Sequence, residues 1–292
     1  MKTRSGFTLI EVLVVIGVIG IVLSLIIPAV FSARGLVDSI SCRNNLKQTG
    51  LGFHGFVQVH GRVPPGNLAF SNNGRNERFG WQVWLLPYLD EDPLYNTSLS
   101  AMASEPDPFK NPPHIGLSTV IKTYVCPSDS RLLSPVKTPG PDVATLSSYI
   151  GIAGTVGHHG VLGFDTPTLA QITDGLSNTI MVSERPPPSS LNCGFWYTSY
   201  LVFGIDYGPN SLMTLSEPQS HPFKDSFCFP GGPPLGPGRL ENPCDRFHLW
   251  SLHRGGANFL FADGSVRFLP YSSHSIVSKL ASRDGGEIIE AP

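Results

Sequence analysis

The chain has 292 residues, only 14% of them charged, with a formal net charge of −2, 31 glycines and 27 prolines. No stretch concentrates Lys and Arg, which excludes the electrostatic footprint that nucleic-acid binding needs. Abundant Gly and Pro with few charges predict many turns and few long surface helices.

The N-terminus is the most informative segment. Lys2 and Arg4 precede Gly6-Phe7-Thr8-Leu9-Ile10-Glu11, and a nearly unbroken apolar run extends from Val12 to Phe31. About 20 apolar residues cross a ~30 Å hydrocarbon core, so the run is long enough to span a bilayer. A secretory signal has a shorter apolar region followed by a small-residue cleavage site, and neither condition holds here. Glu11 sets the segment apart from a plain anchor, because an acid inside a membrane helix costs roughly 2.5–3.5 kcal/mol at the centre and less near the end. Pro28 removes a backbone donor opposite Ser24 and predicts a kink or local melting. The basic residues ahead of the span predict a cytoplasmic N-terminus, with everything after the span on the far side.

Gly6-Phe7-Thr8-Leu9-Ile10-Glu11 resembles the processing signal of prepilins and pseudopilins, the subunits of type IV pili and type II secretion systems. The resemblance implies cleavage between Gly6 and Phe7 by a prepilin peptidase, and methylation of Phe7. It also implies that Glu11 meets the Phe7 ammonium of a neighbouring subunit when apolar helices pack into a filament, and Pro28 falls where pilin helices carry a proline. Loss of residues 1–6 would move the formal charge from −2 to −4. The implied partners are the peptidase, other pilin or pseudopilin subunits, the inner-membrane assembly platform and the membrane itself; DNA uptake is not expected.

Beyond the span, Val30, Ala33, Val37 and Ile40, then Leu46, Gly50, Phe53 and Val57, keep a helical spacing that lines one face, until Gly61 and Pro64-Pro65-Gly66 stop it. One helix from Phe7 to His60 would be about 80 Å long at 1.5 Å per residue. Its second half must therefore lie against something, most simply a sheet of its own head. The expected organisation is a leader at 1–6, a membrane or filament-core helix at 7–31, an amphipathic spine at 32–61 and an α+β head with an antiparallel sheet at 62–292.

Within the head, Trp81–Leu89 predicts a short helix stopping near Pro87 and Tyr88. Ile121–Cys126, Ser147–Ala153 and Thr179–Glu184 predict strands. Asn258–Ala262 and Ser265–Leu269, joined by Asp263-Gly264, predict a hairpin whose turn is type I′, with φ > 0 at both central positions. Residues 186–246 are rich in Pro, Gly and aromatics and predict an inserted, loop-rich lobe. Phe195, Trp196, Tyr197, Tyr200, Phe203 and Tyr207 are too aromatic for a solvated linker and leave carbohydrate stacking open as an alternative role.

His253, nine residues and then Asp263-Gly264 resemble the H-X9-DG segment (253–264) of a bacterial group of prepilin-type proteins whose head is a domain of unknown function. Cys42–Gln48, Trp84–Leu89, Tyr124–Asp129 and Ile172–Thr179 running to Glu184 fit the same group. Those shared segments suggest a disulfide between Cys42 and Cys126; spacing alone leaves the pairing of Cys42, Cys126, Cys193, Cys228 and Cys244 open, and no CxxC pair supports zinc. His253 with Asp263 is a conceivable ligand or base pair, but a turn at Asp263-Gly264 and a histidine bonded to the sheet edge account for the motif without chemistry. His158-His159 read as an exposed loop. Calcium needs six to eight oxygens; Asp174, Asn178 and Asp263, with Ser177 and Glu184, are the candidates, and local turn capping is the simpler account. No G-x-S-x-G elbow or cysteine–base pair is evident, so the expectation is a structural subunit without enzymatic activity or a required cofactor.

Overall fold

A computed structural model describes residues 8–66, 79–138, 143–155, 159–163, 165–198, 212–213, 215 and 233–287. Gly6, Phe7, His158, Tyr200, Phe203, Tyr207 and Cys228 lie outside the described residues.

Helix α1 runs without interruption over Leu9–His60, 52 residues or about 78 Å at 1.5 Å per residue. Pro28 lies inside it, and the helix does not melt there: a proline removes one backbone bond and weakens or bends a helix without ending it when the turns on both sides stay helical. Gly61 ends it in the left-handed conformation (φ 71°), its N–H returning to Val57, as expected for a glycine C-cap.

Leu9–Pro28 of α1 is wholly exposed in the isolated chain. Burial begins at Cys42 and continues through Leu46, Thr49, Gly50, Phe53 and Phe56. Val30, Val37 and Ile40, expected on the head-facing stripe, are instead exposed. The head simply does not reach that far up the helix.

The sheet has five strands, β1 (Tyr149–Ile152), β2 (Ile180–Glu184), β3 (Leu212–Met213), β4 (Gly256–Phe261) and β5 (Val266–Pro270), in the order β3-β1-β2-β4-β5. Three pairings are antiparallel, but β1 and β3 are parallel, so the sheet is mixed rather than purely antiparallel. Period-2 alternation sends successive side chains to opposite faces. On one face Tyr149, Met181 and Leu260 join Leu46, Phe53 and Phe56 of α1. On the other, Ile150, Ile152, Phe259 and Phe261 pack with Val277 and Leu280 of α4 (His274–Ala281). The sheet is therefore covered on both sides, with the spine helix as one cover.

Helix α2 (Trp81–Leu85) passes into a 3-10 turn at Leu86–Tyr88, as predicted. Helix α3 (Asp92–Ser104) was not predicted; its polar sequence keeps only Leu94, Tyr95, Leu99 and Met102 at helical spacing, and these face Tyr124 and Trp196. Ile121–Cys126 is not a strand but contains a 3-10 turn at Lys122–Tyr124. Its burial does not alternate, since Tyr124, Val125 and Cys126 are buried in succession, and no strand among the described residues lies alongside. The carbonyls of Lys122 and Val125 are met instead by the Asn45 amide on α1, and that of Tyr124 by Ser147 and Ser148.

The β4–β5 turn also differs from expectation. Gly264 has φ 78° but Asp263 is not in the positive region. The bonds Gly264 N–H to Phe261 O and Phe261 N–H to Ser265 O define a three-residue loop closed by a left-handed glycine, not a two-residue type I′ turn.

Candidate functional site at the spine–head junction

Four residues distant in sequence meet beneath the spine. Cys42, at the first fully buried turn of α1, forms a disulfide with Cys126 (Cα–Cα 5.1 Å). Cys126 is delivered by the 3-10 turn and held by its N–H donating to Ser148 Oγ at 2.9 Å. This is the pair singled out by the resemblance. Cys244 is also disulfide-bonded, while Cys193 is a free, buried thiol whose sulfur accepts from Arg185 at 3.6 Å.

Against this disulfide stands His253. Its Nε2 lies 3.6 Å from Cys126 Sγ and 3.2 Å from Glu184 Oε1, with both side chains almost fully buried. The loop preceding β4 presents the ring: Ser251 Oγ accepts from His253 N–H at 2.9 Å and donates to Gly256 O at 2.7 Å. Glu184 ends β2 and is oriented by Asn258 on β4, whose backbone N–H donates to Oε2 at 2.7 Å and whose amide reaches both oxygens at 3.1 Å. A carboxylate at this depth needs such donors. Its charge also reaches the neighbouring phenols: burial first, then Glu184, push the Tyr149 hydroxyl well above the usual tyrosine range. Tyr149 Oη donates to Cys42 O at 3.3 Å.

His253 therefore neither bonds a sheet edge nor pairs with Asp263. The two ends of the H-X9-DG segment do separate jobs. Asp263 accepts from Ser265 N–H at 2.8 Å and faces Arg267 at 3.8 Å. Gly264 approaches α1, its carbonyl accepting from Lys47 Nζ at 2.8 Å. Asp174 uses its two carboxylate oxygens on the N–H groups of Gly285 and Gly286, and Asn178 donates to Asp174 O. The calcium candidates are thus taken up in turns. Among the described residues, the cluster with metal-ligand geometry is Cys42, Cys126, Glu184 and His253, with ligand atoms within 4.8 Å of one another.

Sequence reasoning gave Asn258 and Lys47 no role of their own, and placed Glu184 as a strand end and calcium candidate but not as the partner of His253. The available signal was a charged residue closing the otherwise apolar and small run Ile180–Ser183. The aromatic residues of the 186–246 segment that are described, Phe195, Trp196 and Tyr197, are buried in the core and not displayed.

At the other end of the chain, Glu11 completes a capping box. Thr8 N–H and Oγ1 both donate to Glu11 Oε2 at 2.8 Å, and Glu11 N–H reaches Thr8 Oγ1 at 3.4 Å. Both bonds to the carboxylate use one oxygen, and Oε1 has no bond among the described residues.

The family model described as a protein of unknown function (DUF1559) matches residues 39–274. The chain belongs to that family. A second model, the prokaryotic N-terminal methylation motif, matches residues 1–27. No curated protein and no solved structure matches the chain. This DUF1559 protein thus carries the signal of a pilin- or pseudopilin-type subunit, which implies processing by prepilin peptidase and assembly with other pilins. The exposed apolar segment Leu9–Pro28, with a mean hydropathy of 3.0, fits a single-pass membrane anchor.

Proposed function

We propose that the protein is a structural subunit of a type II secretion pseudopilus or a type IV pilus-like filament, with no catalytic activity of its own. Cleavage falls between Gly6 and Phe7, Phe7 is methylated, and the N-terminus starts on the cytoplasmic face with the head beyond the inner membrane. The subunit then passes from the bilayer to an assembly platform and into the filament.

One observation carries this reading. Apolar exposure on α1 does not stop at the span but continues through Leu36, Val37 and Ile40 to the point where the head begins. A bilayer anchor needs about 20 residues, so the excess surface calls for a second cover, which neighbouring α1 helices would provide. Glu11, with an oxygen left over from the capping box, is the group placed to receive a neighbour's N-terminal ammonium. Phe195, Trp196 and Tyr197 are buried, so these three do not support a carbohydrate-stacking module. Mass spectrometry of the protein from a peptidase-competent host should find an N-methylated Phe7 terminus. A chain still beginning at Met1 would overturn the proposal.

A further inference from the structure

Cys42, Cys126, Glu184 and His253 have a donor set in excess of what a disulfide requires. A buried disulfide needs no histidine aimed at its sulfur and no carboxylate fixed behind that histidine. A tetrahedral zinc site built from two thiolates, an imidazole and a carboxylate has metal–ligand distances of about 2.3 Å to sulfur and about 2.0–2.2 Å to nitrogen and oxygen. Those lengths fix the edges of the tetrahedron at about 3.3 Å between nitrogen and oxygen and about 3.5 Å between nitrogen and sulfur. The observed edges are 3.2 Å for His253 Nε2 to Glu184 Oε1 and 3.6 Å for His253 Nε2 to Cys126 Sγ. All four ligand atoms lie within 4.8 Å of one another, and the two sulfurs, joined in the disulfide, would have to part to about 3.8 Å.

We propose that, in the reduced chain, these four residues form a divalent-metal site of the zinc class, so that metal and disulfide are alternative closures of the same spine–head junction. Asn258 already supplies the outer support, fixing the Glu184 carboxylate with its backbone and side-chain donors, as ligating carboxylates generally require. The chain is synthesised with both thiols reduced, so the metal form needs no reductant to precede the disulfide. Metal entry replaces two S–H protons, which leave to solvent, with two metal–thiolate bonds. Oxidation by a disulfide-class oxidant removes two electrons from the thiolates, forms the Cys42–Cys126 bond and expels the metal, while the oxidant takes up two protons and becomes two thiols. A dithiol reverses the redox step by becoming a disulfide itself. The head would then be fastened to the spine by metal while the thiols are reduced and by a covalent bond once they are oxidised.

The test uses the full chain in detergent micelles, reduced anaerobically with a phosphine, freed of phosphine and titrated with Co2+ and Zn2+. The expected result is one tightly held Co2+ per chain, with tetrahedral ligand-field bands and a thiolate charge-transfer band, displaced by Zn2+. Oxidised glutathione should bleach the spectrum and release the metal, and the unreduced chain should bind none at the junction. Cys126→Ser and His253→Ala should each weaken binding at least tenfold, while Cys193→Ser should leave it unchanged. Near-ultraviolet circular dichroism checks that reduced chains stay folded. A reduced chain that binds no metal, folded or not, overturns the proposal. So does binding that survives both Cys126→Ser and His253→Ala unchanged, because the metal would then sit on other thiols.

Discussion

Lys47 on the spine helix donates through Nζ to the carbonyl of Gly264 at 2.8 Å, and three residues further along α1 Gly50 lies under the same turn. The Asp-Gly end of the H-X9-DG segment is thereby fastened to the spine, while its histidine end meets the spine's disulfide. Strand β4 between them is clamped to α1 at two points. A Cβ at position 50 would lie 2.8 Å from Leu260 Cδ1 and 3.5 Å from Gly264 Cα, so the absence of a side chain sets how closely helix and hairpin approach. Gly50→Leu should therefore destabilise the head by about 1–3 kcal/mol through overpacking, even though leucine is the better helix former by up to ~1 kcal/mol. Denaturant unfolding of the detergent-solubilised chain measures this; a gain in stability would mean that the hairpin is free to shift.

The disulfide closes a segment with a sequence separation of 84. On loop-entropy grounds, a closure of that size stabilises by roughly 4.6 kcal/mol, within a usual range of about 2–5 kcal/mol for native bonds. Cys42→Ser/Cys126→Ser should lose most of that in the absence of metal, and should loosen the contact between α1 and the 3-10 turn before the sheet itself. Hydrogen exchange resolves the order: protection at Lys122–Cys126 should fall further than at Gly256–Phe261. Equal loss at both would make the bond a global staple and not a local one.

The legible parts of this molecule were those written in contiguous residues. The apolar run, Gly61, the Trp81 helix and four of the five predicted strands each depend on a local pattern and came through. Ile121–Cys126 failed because its residues do not alternate strictly, with Tyr124, Val125 and Cys126 buried in succession, and because Asn45 and two serines, not a neighbouring strand, satisfy its carbonyls. The Asp263-Gly264 turn was correctly placed but wrongly typed, since the same dipeptide serves two hairpin geometries that differ by one loop residue. At the junction site the Cys42–Cys126 pair was legible only through the family resemblance, and its meeting with Glu184 and His253 was not legible, for a different reason. Its members come from α1, a 3-10 turn, β2 and the loop before β4, and no spacing rule links positions 42, 126, 184 and 253. Cysteine spacing argued against a metal site because it looks for paired ligands on one loop.

At the N-terminus the capping box and the assembly role of Glu11 make separable demands. Thr8→Val removes the hydroxyl partner but leaves the carboxylate, and loss of an N-cap costs about 1 kcal/mol of helix stability. Glu11→Val removes the carboxylate that a neighbour would need. Thr8→Val should thus keep filament incorporation close to normal, and Glu11→Val should insert into the membrane yet be excluded from filaments. Quantifying both variants in the membrane and sheared-filament fractions decides it. Similar exclusion of both would reduce Glu11 to a helix cap.

Histidine 114 gives the head a pH dependence whose sign can be worked out. The ring is buried, with Nε2 2.9 Å from Glu105 O and Nδ1 3.1 Å from Tyr197 Oη. A carbonyl can only accept, so Nε2 carries the proton and Nδ1 accepts from the phenol. Burial pushes the Tyr197 phenol up to about 12, so it remains a donor throughout the neutral range. Burial likewise holds His114 below the usual histidine value of 6.5, against the opposing pull of Glu105 and Asp107. A folded-state value depressed below the unfolded one means that the unfolded chain binds the proton more readily. The stabilisation is therefore complete above about 6.5 and is lost progressively as pH falls below it. His248, also held down by burial, contributes with the same sign. Thermal unfolding of the chain should show a midpoint that falls between pH 7 and 5, and His114→Gln should remove part of that slope while His114→Gln/His248→Gln removes more. An unchanged slope in the double variant would place the pH dependence elsewhere.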